Sequence, residues 1–158
     1  MQNLSALTHI LKYNMSTFNS KSPTQTQTIA KQIANSLSGG EILALSGDLG
    51  VGKTEFTKGL AKYLKIKESI TSPTFVLLKP YQTSHKKIKT LVHIDCYRLE
   101  NTEELFELGL NEYLSDPYTI TIIEWADKIK NALPKKNVLY VNLKLGKNKF
   151  ERSITLKN

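Results

Sequence analysis

The sequence is poor in cysteine. Cys96 is the one thiol, so an internal disulfide is excluded and a reducing compartment is favoured. The chain also lacks any apolar run near the ~20 residues that a membrane-spanning helix requires. Its first residues show neither the basic start, the apolar centre nor the small-residue cleavage site of a secretory signal. These absences predict a cytoplasmic protein that does not contact a membrane.

Arginine is also scarce. Arg98 and Arg152 are the two arginines, although lysine and arginine together number 22 against 14 acidic residues, for a formal net charge of +8. The excess is therefore almost all lysine, which favours anionic partners such as RNA or an acidic protein face. A lysine-rich composition that only keeps the protein in solution is the alternative. Acidic residues concentrate at 100–112 and basic residues at 79–89 and 128–149, a pattern that suits docking to a partner.

The apolar residues, 40% of the chain, are sufficient for one domain with a buried core. Short apolar runs alternate with stretches of helical periodicity. They predict an α/β sheet with helices on both faces and a C-terminal antiparallel β-hairpin at the edge. The predicted strands are 41–46, 75–81, 89–97, 119–125, 137–145 and 150–157, and the predicted helices are 24–37, 53–64, 101–110 and 126–133. Residues 1–22 are polar and weakly periodic, so we expect a loosely ordered extension before a domain at 23–158.

One stretch carries a binding motif. LSGDLGVGKTEF, at 45–56, contains a glycine, four residues and then Gly-Lys-Thr. Glycines let backbone amides approach phosphate oxygens, the lysine supplies positive charge, and the threonine hydroxyl is a ligand for Mg²⁺. The motif follows a predicted strand and opens a predicted helix, as a phosphate-binding loop (P-loop) requires. We therefore predict a nucleotide site with the binding residues Leu49, Gly50, Val51, Gly52, Lys53, Thr54 and Glu55.

Two acidic residues are candidates to complete this site. A P-loop needs an acid to hold the metal shell and to orient water. Glu124 ends one apolar run and Asp95 ends another. Because ligands bind beyond the carboxyl ends of the strands in such sheets, both carboxylates are expected at the site and outside the core. A surface carboxylate at a strand end is the alternative for each. By strand alternation, His93, Asp95 and Tyr97 share a face.

The polar loop TSPTF, at 71–75, lies between the phosphate-loop helix and the next predicted strand. Switch segments of nucleotide hydrolases occupy this position, so Thr74 is a candidate sensor of the terminal phosphate. An ordinary proline turn is the alternative. Cys96 has no evident basic neighbour in the sequence, and we predict a packed strand residue rather than a nucleophile.

The nucleotide site allows more than one function. An ATPase is the main interpretation, and a GTPase, a kinase and a non-enzymatic binding module are the alternatives. NKFE, at 148–151, resembles the guanine-reading Asn-Lys-x-Asp motif, but it has Glu in place of Asp and lies in a predicted hairpin turn. ATP is therefore the predicted nucleotide. A small-molecule kinase usually clamps phosphates with several arginines and closes a lid, whereas this chain has two arginines and no obvious inserted lid. A nucleotide-gated binding module with vestigial hydrolysis is the non-enzymatic alternative.

Five stretches carry a resemblance to a known family: GDLGVGKTEF, SPTF followed by KPY, HIDCYRL, EELFELGLNEYL and IIEW. Together, and in this order over about residues 24–134, they resemble the TsaE (YjeE) family, the small bacterial P-loop ATPases of tRNA threonylcarbamoyladenosine biosynthesis. GDLG combined with H-x-D-x-Y-R and Glu-Trp is far more specific than the loop alone. The chain departs from the family's pattern at Glu55, where a second Thr is common, and at Ala126, where Pro often follows Glu-Trp.

The resemblance implies an ATPase that binds the TsaD–TsaB complex, which transfers threonylcarbamoyl to an adenosine in the tRNA anticodon loop. ATP hydrolysis in this family supports turnover of that complex, and tRNA is expected to be contacted indirectly, through the complex. The implied roles are Thr54 and Glu124 as ligands of Mg²⁺, Lys53 as the phosphate-holding residue, Asp95 as the catalytic or metal-linked acid, residues 72–75 with Thr74 as the nucleotide-sensing loop, and Gln25 near the adenine.

The two arginines bear on how fast the isolated chain hydrolyses ATP. Phosphoryl transfer needs positive charge on the developing oxygens, often from an arginine supplied by a partner. Strand alternation turns Arg98 away from the face of Asp95 unless the strand has ended, and Arg152 lies far along the chain from the loop. We therefore expect slow hydrolysis alone and a faster cycle when a partner docks near SPTF and Trp125.

Overall fold

The computed structural model describes residues 15–72 and 77–158. Within these residues, one sheet contains the strands β1 (Ser16–Ser20), β2 (Ile42–Ser46), β3 (Leu78–Gln82), β4 (Thr90–Asp95), β5 (Thr119–Glu124), β6 (Val138–Leu145) and β7 (Arg152–Lys157). The helices are α1 (Pro23–Ala34), α2 (Lys53–Tyr63), α3 (Glu103–Glu107), α4 (Leu110–Ser115) and a 3-10 helix at Ala126–Ala132.

The strand order is β1-β7-β6-β2-β5-β4-β3. The four central strands, β6, β2, β5 and β4, run parallel. At the two edges, β3 on one side and β7 and β1 on the other run antiparallel to their neighbours. Strand β2, which leads into the phosphate loop, therefore lies between two parallel neighbours, and its side chains read as a continuous apolar run because both faces are covered.

Helices cover both faces of the sheet. On one face, α1 and α2 contribute Ile33 and Leu60 to a core cluster with Ile122 of β5. On the other face, α3 and the 3-10 helix contribute Leu105 and Ile129 to a second cluster. The predicted fold class, an α/β sheet between helical layers with a C-terminal antiparallel hairpin, is confirmed. No helix within the described residues is long and apolar enough to cross a bilayer.

Part of the segment predicted as a loosely ordered extension is a strand. β1 pairs antiparallel with β7 and takes the outermost position beside the hairpin. The chain then turns directly into α1, where the Ser22 hydroxyl caps the helix by accepting a hydrogen bond from the Gln25 amide at 3.1 Å. The prediction is wrong for residues 16–20. Backbone pairing holds this short polar edge strand, so its sequence shows no apolar periodicity that would indicate a strand. Residues 1–14 lie outside the described part of the chain.

Three predicted elements differ in detail. The helix expected at 101–110 is two short helices, because Gly109 adopts φ +85° between α3 and α4. The helix expected at 126–133 is of the 3-10 type. Strand β3 begins at Leu78, later than expected, and residues 73–76 lie outside the described part of the chain.

Candidate nucleotide site

The phosphate loop connects the carboxyl end of β2 to the first turn of α2. Gly47, Gly50 and Gly52 all adopt positive φ, at +136°, +73° and +109°. At Gly47 a Cβ atom would lie 2.3 Å from the carbonyl oxygen of Leu143, so no other residue fits without moving the backbone. The first amides of α2 have no partner within the helix, and a helix that starts at the loop suits an anion there.

The loop borders a cavity of about 640 Å³, a size in the range of ligand pockets. Most of the residues predicted for the site line it, and they come from the loop, from α2 and from the ends of β4 and β5. These predicted residues are Leu49, Gly50, Gly52, Lys53, Thr54, Glu55, Asp95 and Glu124. Leu77, which sequence reasoning did not include, also lines the cavity. So does Tyr97, which sequence reasoning placed on the face of Asp95 without giving it a role. Ser72, Arg98 and Trp125 complete the lining.

The ammonium of Lys53 is folded back onto the loop. Its Nζ donates hydrogen bonds to the carbonyl oxygens of Gly47, at 2.7 Å, and Asp48, at 2.9 Å. The same atom lies 3.8 Å from the centroid of the Trp125 ring, within cation–π distance. Burial lowers the pKa of Lys53, and the nearby carboxylates, with Glu124 first, act against that shift.

Glu124 lies at the centre of a buried hydrogen-bond cluster and is 2% exposed. Its carboxylate accepts from the Thr54 hydroxyl, which lies 3.1 Å and 3.2 Å from its two oxygens. The Nε2 atom of His93 lies 2.8 Å from Oε1, and the Thr57 hydroxyl lies 3.4 Å from the same oxygen. The structure thus brings together the predicted pair of Thr54 and Glu124. Sequence reasoning missed Thr57, and it placed His93 on this face without giving it a role.

Asp95 lies next to Glu124 on the neighbouring parallel strand, with the two residues in register. Its Oδ2 accepts a hydrogen bond from the Ser72 hydroxyl at 2.7 Å, and its Oδ1 accepts from the Tyr97 amide at 2.9 Å. The beginning of the TSPTF loop is therefore tied to the predicted catalytic acid. Thr74, the candidate phosphate sensor, lies outside the described residues.

A second, smaller groove of about 140 Å³ adjoins the loop. Gly50, Gly52 and Glu55 border both spaces, so the loop forms the boundary between them. The other residues of the groove come from the start of α1, the loop and the β6–β7 hairpin: Ser22, Pro23, Thr26, Val51, Lys149, Phe150 and Arg152.

Arg152 joins the C-terminal hairpin to the phosphate loop. Its Nε donates to the carbonyl oxygen of Val51 at 2.6 Å, and its Nη1 donates to the carbonyl oxygens of Lys149 and Glu151 at 2.7 Å and 2.8 Å. Arg152 is far from the loop along the chain but contacts it in space, because β6 pairs with β2 and carries the hairpin to the loop.

Arg98 also lies at the site, since it lines the larger cavity. Strand β4 ends at Asp95, so alternation does not extend to Arg98, and the exception made for a strand that has ended applies. Gln25 is exposed, and its Oε1 accepts a hydrogen bond from the Lys21 amide at 2.7 Å. Its neighbours Ser22 and Thr26 line the smaller groove instead.

Two side chains of the NKFE stretch close the hairpin turn. Asn148 Oδ1 accepts from the amides of Phe150 and Glu151, and Glu151 Oε2 accepts from the Lys147 amide. These groups are thus engaged within the turn. Cys96 is packed, as predicted, but it follows the last residue of β4 instead of lying within the strand. Burial, aided by Asp95, raises the pKa of its thiol to about 12.

Comparisons with known proteins agree with this architecture. The family model described as "Threonylcarbamoyl adenosine biosynthesis protein TsaE" matches residues 20–154. A tRNA threonylcarbamoyladenosine biosynthesis protein TsaE from Rickettsia bellii (strain RML369-C) is 47% identical over 122 residues, which are 77% of this chain and 81% of that protein. A protein of the same name from Bacillus subtilis (strain 168) is 40% identical over 133 residues, 84% of this chain and 79% of that protein.

A solved structure gives the same result. The crystal structure of Bacillus subtilis YdiB superposes with a TM-score of 0.72 at 34% identity, covering 90% of this chain and 84% of that chain. These matches support the TsaE prediction and give no support to the kinase alternative. By family model, sequence identity and fold together, the chain belongs to the TsaE family.

Proposed function

We propose that the chain is a Mg²⁺-dependent ATPase that serves the TsaD–TsaB complex in the threonylcarbamoyl modification of adenosine in the tRNA anticodon loop. The relatives are named for this pathway. The observation that carries the proposal is the meeting of Lys53, Thr54, Asp95 and Glu124 around one cavity beyond the carboxyl ends of parallel strands.

The residues around Thr54 fit a magnesium ion. Mg²⁺ in proteins is usually held through one or two carboxylates together with substrate phosphates. The Thr54 hydroxyl and the Glu124 carboxylate are already within hydrogen-bond distance of each other, and both face the cavity. When bound, Mg²⁺ neutralises charge on the phosphate oxygens. Thr54 and Glu124 would hold it, directly or through water.

Lys53, Asp95 and Ser72 have separate roles in binding and hydrolysing ATP. Lys53 exchanges the loop carbonyls that it now contacts for phosphate oxygens. Asp95 accepts a hydrogen bond from the attacking water, and the Ser72 hydroxyl holds this carboxylate and couples it to the TSPTF loop. Sensing of the terminal phosphate by Thr74 remains a prediction on the same loop.

The smaller groove is our candidate for the adenine. It adjoins the phosphate loop and offers the Phe150 ring and the polar groups of Ser22 and Thr26. ATP is favoured over GTP because the side chains of Asn148 and Glu151 are used to close the hairpin turn. Contact of Gln25 with the base requires its side chain to leave the Lys21 amide.

The contacts of Lys53 and the exposed apolar surface at the cavity support a dependence of hydrolysis on a partner. Lys53 is engaged by the loop and by Trp125, so productive binding requires rearrangement. Leu49 and Tyr97, at 73% and 48% exposure, present apolar surface at the cavity mouth, where a docked protein would bury it. The TsaD–TsaB complex is the proposed occupant, in the cytoplasm, and tRNA is contacted through it.

Reconstitution tests the function. Phosphate release and multiple-turnover tRNA threonylcarbamoylation are measured with TsaD–TsaB, for the unmodified chain, for Lys53→Ala and for Lys62→Ala, a change at an exposed lysine of the same helix. We expect TsaD–TsaB to accelerate phosphate release, and we expect Lys53→Ala alone to abolish both activities. Equal hydrolysis with and without the complex, together with tRNA modification indifferent to Lys53→Ala, would overturn the proposal.

A further inference from the structure

His93 is a buried polar residue without an assigned role. It lies within β4, has no exposed surface, and is on the sheet face that α2 covers. Its Nε2 atom lies 2.8 Å from Glu124 Oε1, the shortest contact to that carboxylate among the described residues. Its Nδ1 atom is buried and has no hydrogen-bond partner among those residues.

We propose that His93 is a positioning residue, which holds the Glu124 carboxylate by an Nε2–H···Oε1 hydrogen bond so that the carboxylate stays directed at Thr54 and the cavity. The inference rests on the proposed role of Glu124 as a ligand of Mg²⁺. His93 itself has no surface exposed to the cavity, so it acts through Glu124 and does not touch the nucleotide.

The tautomer follows from the partners. A carboxylate that serves as a ligand of Mg²⁺ only accepts hydrogen bonds, so in the proposed role of Glu124 the proton between the two residues belongs to Nε2. A proton on Nδ1 would be a buried donor without an acceptor. The geometry therefore gives the His93 ring one oriented donor, aimed at Oε1.

The other contacts of Glu124 leave this task to His93. The Thr57 hydroxyl lies closer to the carbonyl oxygen of Lys53, at 3.1 Å, than to Oε1, at 3.4 Å, and it has one proton to donate. The Thr54 hydroxyl lies at similar distances from both carboxylate oxygens, and it is itself a proposed metal ligand. Of the three donors, Thr57 is shared with a backbone carbonyl of its own helix and Thr54 is needed at the metal. His93 alone of the three is left to hold the carboxylate.

A purely structural role would look different in solution. If His93 only filled space in the core, replacing it would lower thermal stability and leave the dependence of ATP binding on Mg²⁺ unchanged. If it positions Glu124, a variant of similar volume without a donor should fold and still lose that dependence. A residue that supports a metal ligand typically contributes about 10–100-fold in metal affinity or activity.

The experiment compares three variants in the full chain. His93→Leu removes the donor, and His93→Gln places an amide N–H₂ near the position of Nε2. Leu91→Ala, a change at a buried neighbour on the same face of β4, is the control for destabilisation. Each is characterised by its melting temperature, its ATP affinity with and without Mg²⁺, and its steady-state phosphate release.

We expect His93→Leu to keep the ATP affinity measured without Mg²⁺ but to lose about tenfold or more of the enhancement by Mg²⁺ and of kcat. His93→Gln should recover most of both, and Leu91→Ala should lower the melting temperature alone. Unchanged Mg²⁺ dependence in folded His93→Leu overturns the proposal. So does an equal loss in the Leu and Gln variants, because it would indicate that ring packing matters rather than the donor.

A second measurement does not depend on the folding of the His93 variants or on the ATPase proposal. Nitrogen-15 NMR of the histidine rings in the free protein reports which ring nitrogen carries a proton. A proton on Nε2 of His93, with a signal that shifts in Glu124→Gln, supports the bond. A ring whose Nε2 lacks the proton overturns it. If the unmodified chain shows no Mg²⁺-dependent binding of ATP, the proposed function fails while the NMR result still decides the hydrogen bond.

Discussion

The Lys53 ammonium lies 3.8 Å from the centroid of the Trp125 ring while it donates hydrogen bonds to two carbonyl oxygens of its own loop. The charge expected to bind phosphates is thus satisfied internally. Trp125 follows β5 directly and adopts φ +58°. The centroid of its ring lies 5.1 Å from the centroid of the Tyr97 ring. Binding of phosphates to Lys53 must therefore change the environment of the indole.

Fluorescence can report this change, because Trp125 is the chain's one tryptophan. We expect ATP with Mg²⁺ to alter the intensity or the maximum of the Trp125 emission, since the Lys53 ammonium moves away from the indole ring. Lys53→Met should show a shifted emission before ATP is added and little further change. Emission that stays constant at saturating ATP, when a thermal melt shows binding, would mean that Lys53 keeps its contact with Trp125.

The two acids should be tested with amide substitutions. Glu124 is buried, and Glu124→Ala would leave its hydrogen-bond donors unpaired, which typically costs about 1–3 kcal/mol for each. We expect Asp95→Asn and Glu124→Gln to keep the fold and to lower kcat about 100-fold or more, as for lost general acid–base or metal-binding groups. Phosphate release is the measurement.

The matched control for the acids is Asp127→Asn, which removes an exposed carboxylate from the 3-10 helix that follows Trp125. It should leave the rate near that of the unmodified chain. Wild-type phosphate release in either acid variant would remove that residue from the mechanism.

The phosphate loop and the acids were predictable because both follow local rules: a motif between strand and helix, and carboxylates at the ends of parallel strands. The burial of Glu124 could not be predicted in this way. Its position in the sequence indicates the end of a strand, and from this we expected a carboxylate outside the core. The hydroxyls of Thr54 and Thr57, on the helix that covers it, enclose the carboxylate instead. Periodicity within a strand does not reveal which helix covers its end.

Long-range pairing explains the other differences. β1 is a polar strand at 16–20 whose partner is β7, more than a hundred residues later, so nothing in its own composition indicates it. Arg98 follows the last residue of β4, where alternation no longer applies. Such positions are set by strand order, which the sequence expresses only through contacts distant along the chain.

Nucleotide preference can be measured by thermal stabilisation. A ligand that binds only the folded state at 100 times its Kd adds about 2.7 kcal/mol to the free energy of unfolding. We expect ATP with Mg²⁺ to raise the melting temperature more than GTP with Mg²⁺ at equal concentration, because the NKFE side chains close their own turn. A larger shift with GTP would show that the base assignment is wrong.

Arg152 should control the shape of the phosphate loop. Its guanidinium joins the Val51 carbonyl to two carbonyls of the hairpin, a fork that a lysine does not reproduce. We expect Arg152→Ala to lower the free energy of unfolding by about 1.5 kcal/mol, the lower end for hydrogen bonds to a charged group, because the residue is half-buried. We also expect ATP affinity to fall, since the loop loses its tie, and Arg152→Lys should recover little of either loss.

The control is Lys157→Ala, at the exposed other end of β7, which removes the same charge without touching the loop. Chemical denaturation and ATP titration compare the three variants. If Arg152→Ala and Lys157→Ala weaken ATP binding equally, the effect is one of net charge, and the contact with Val51 does not shape the site.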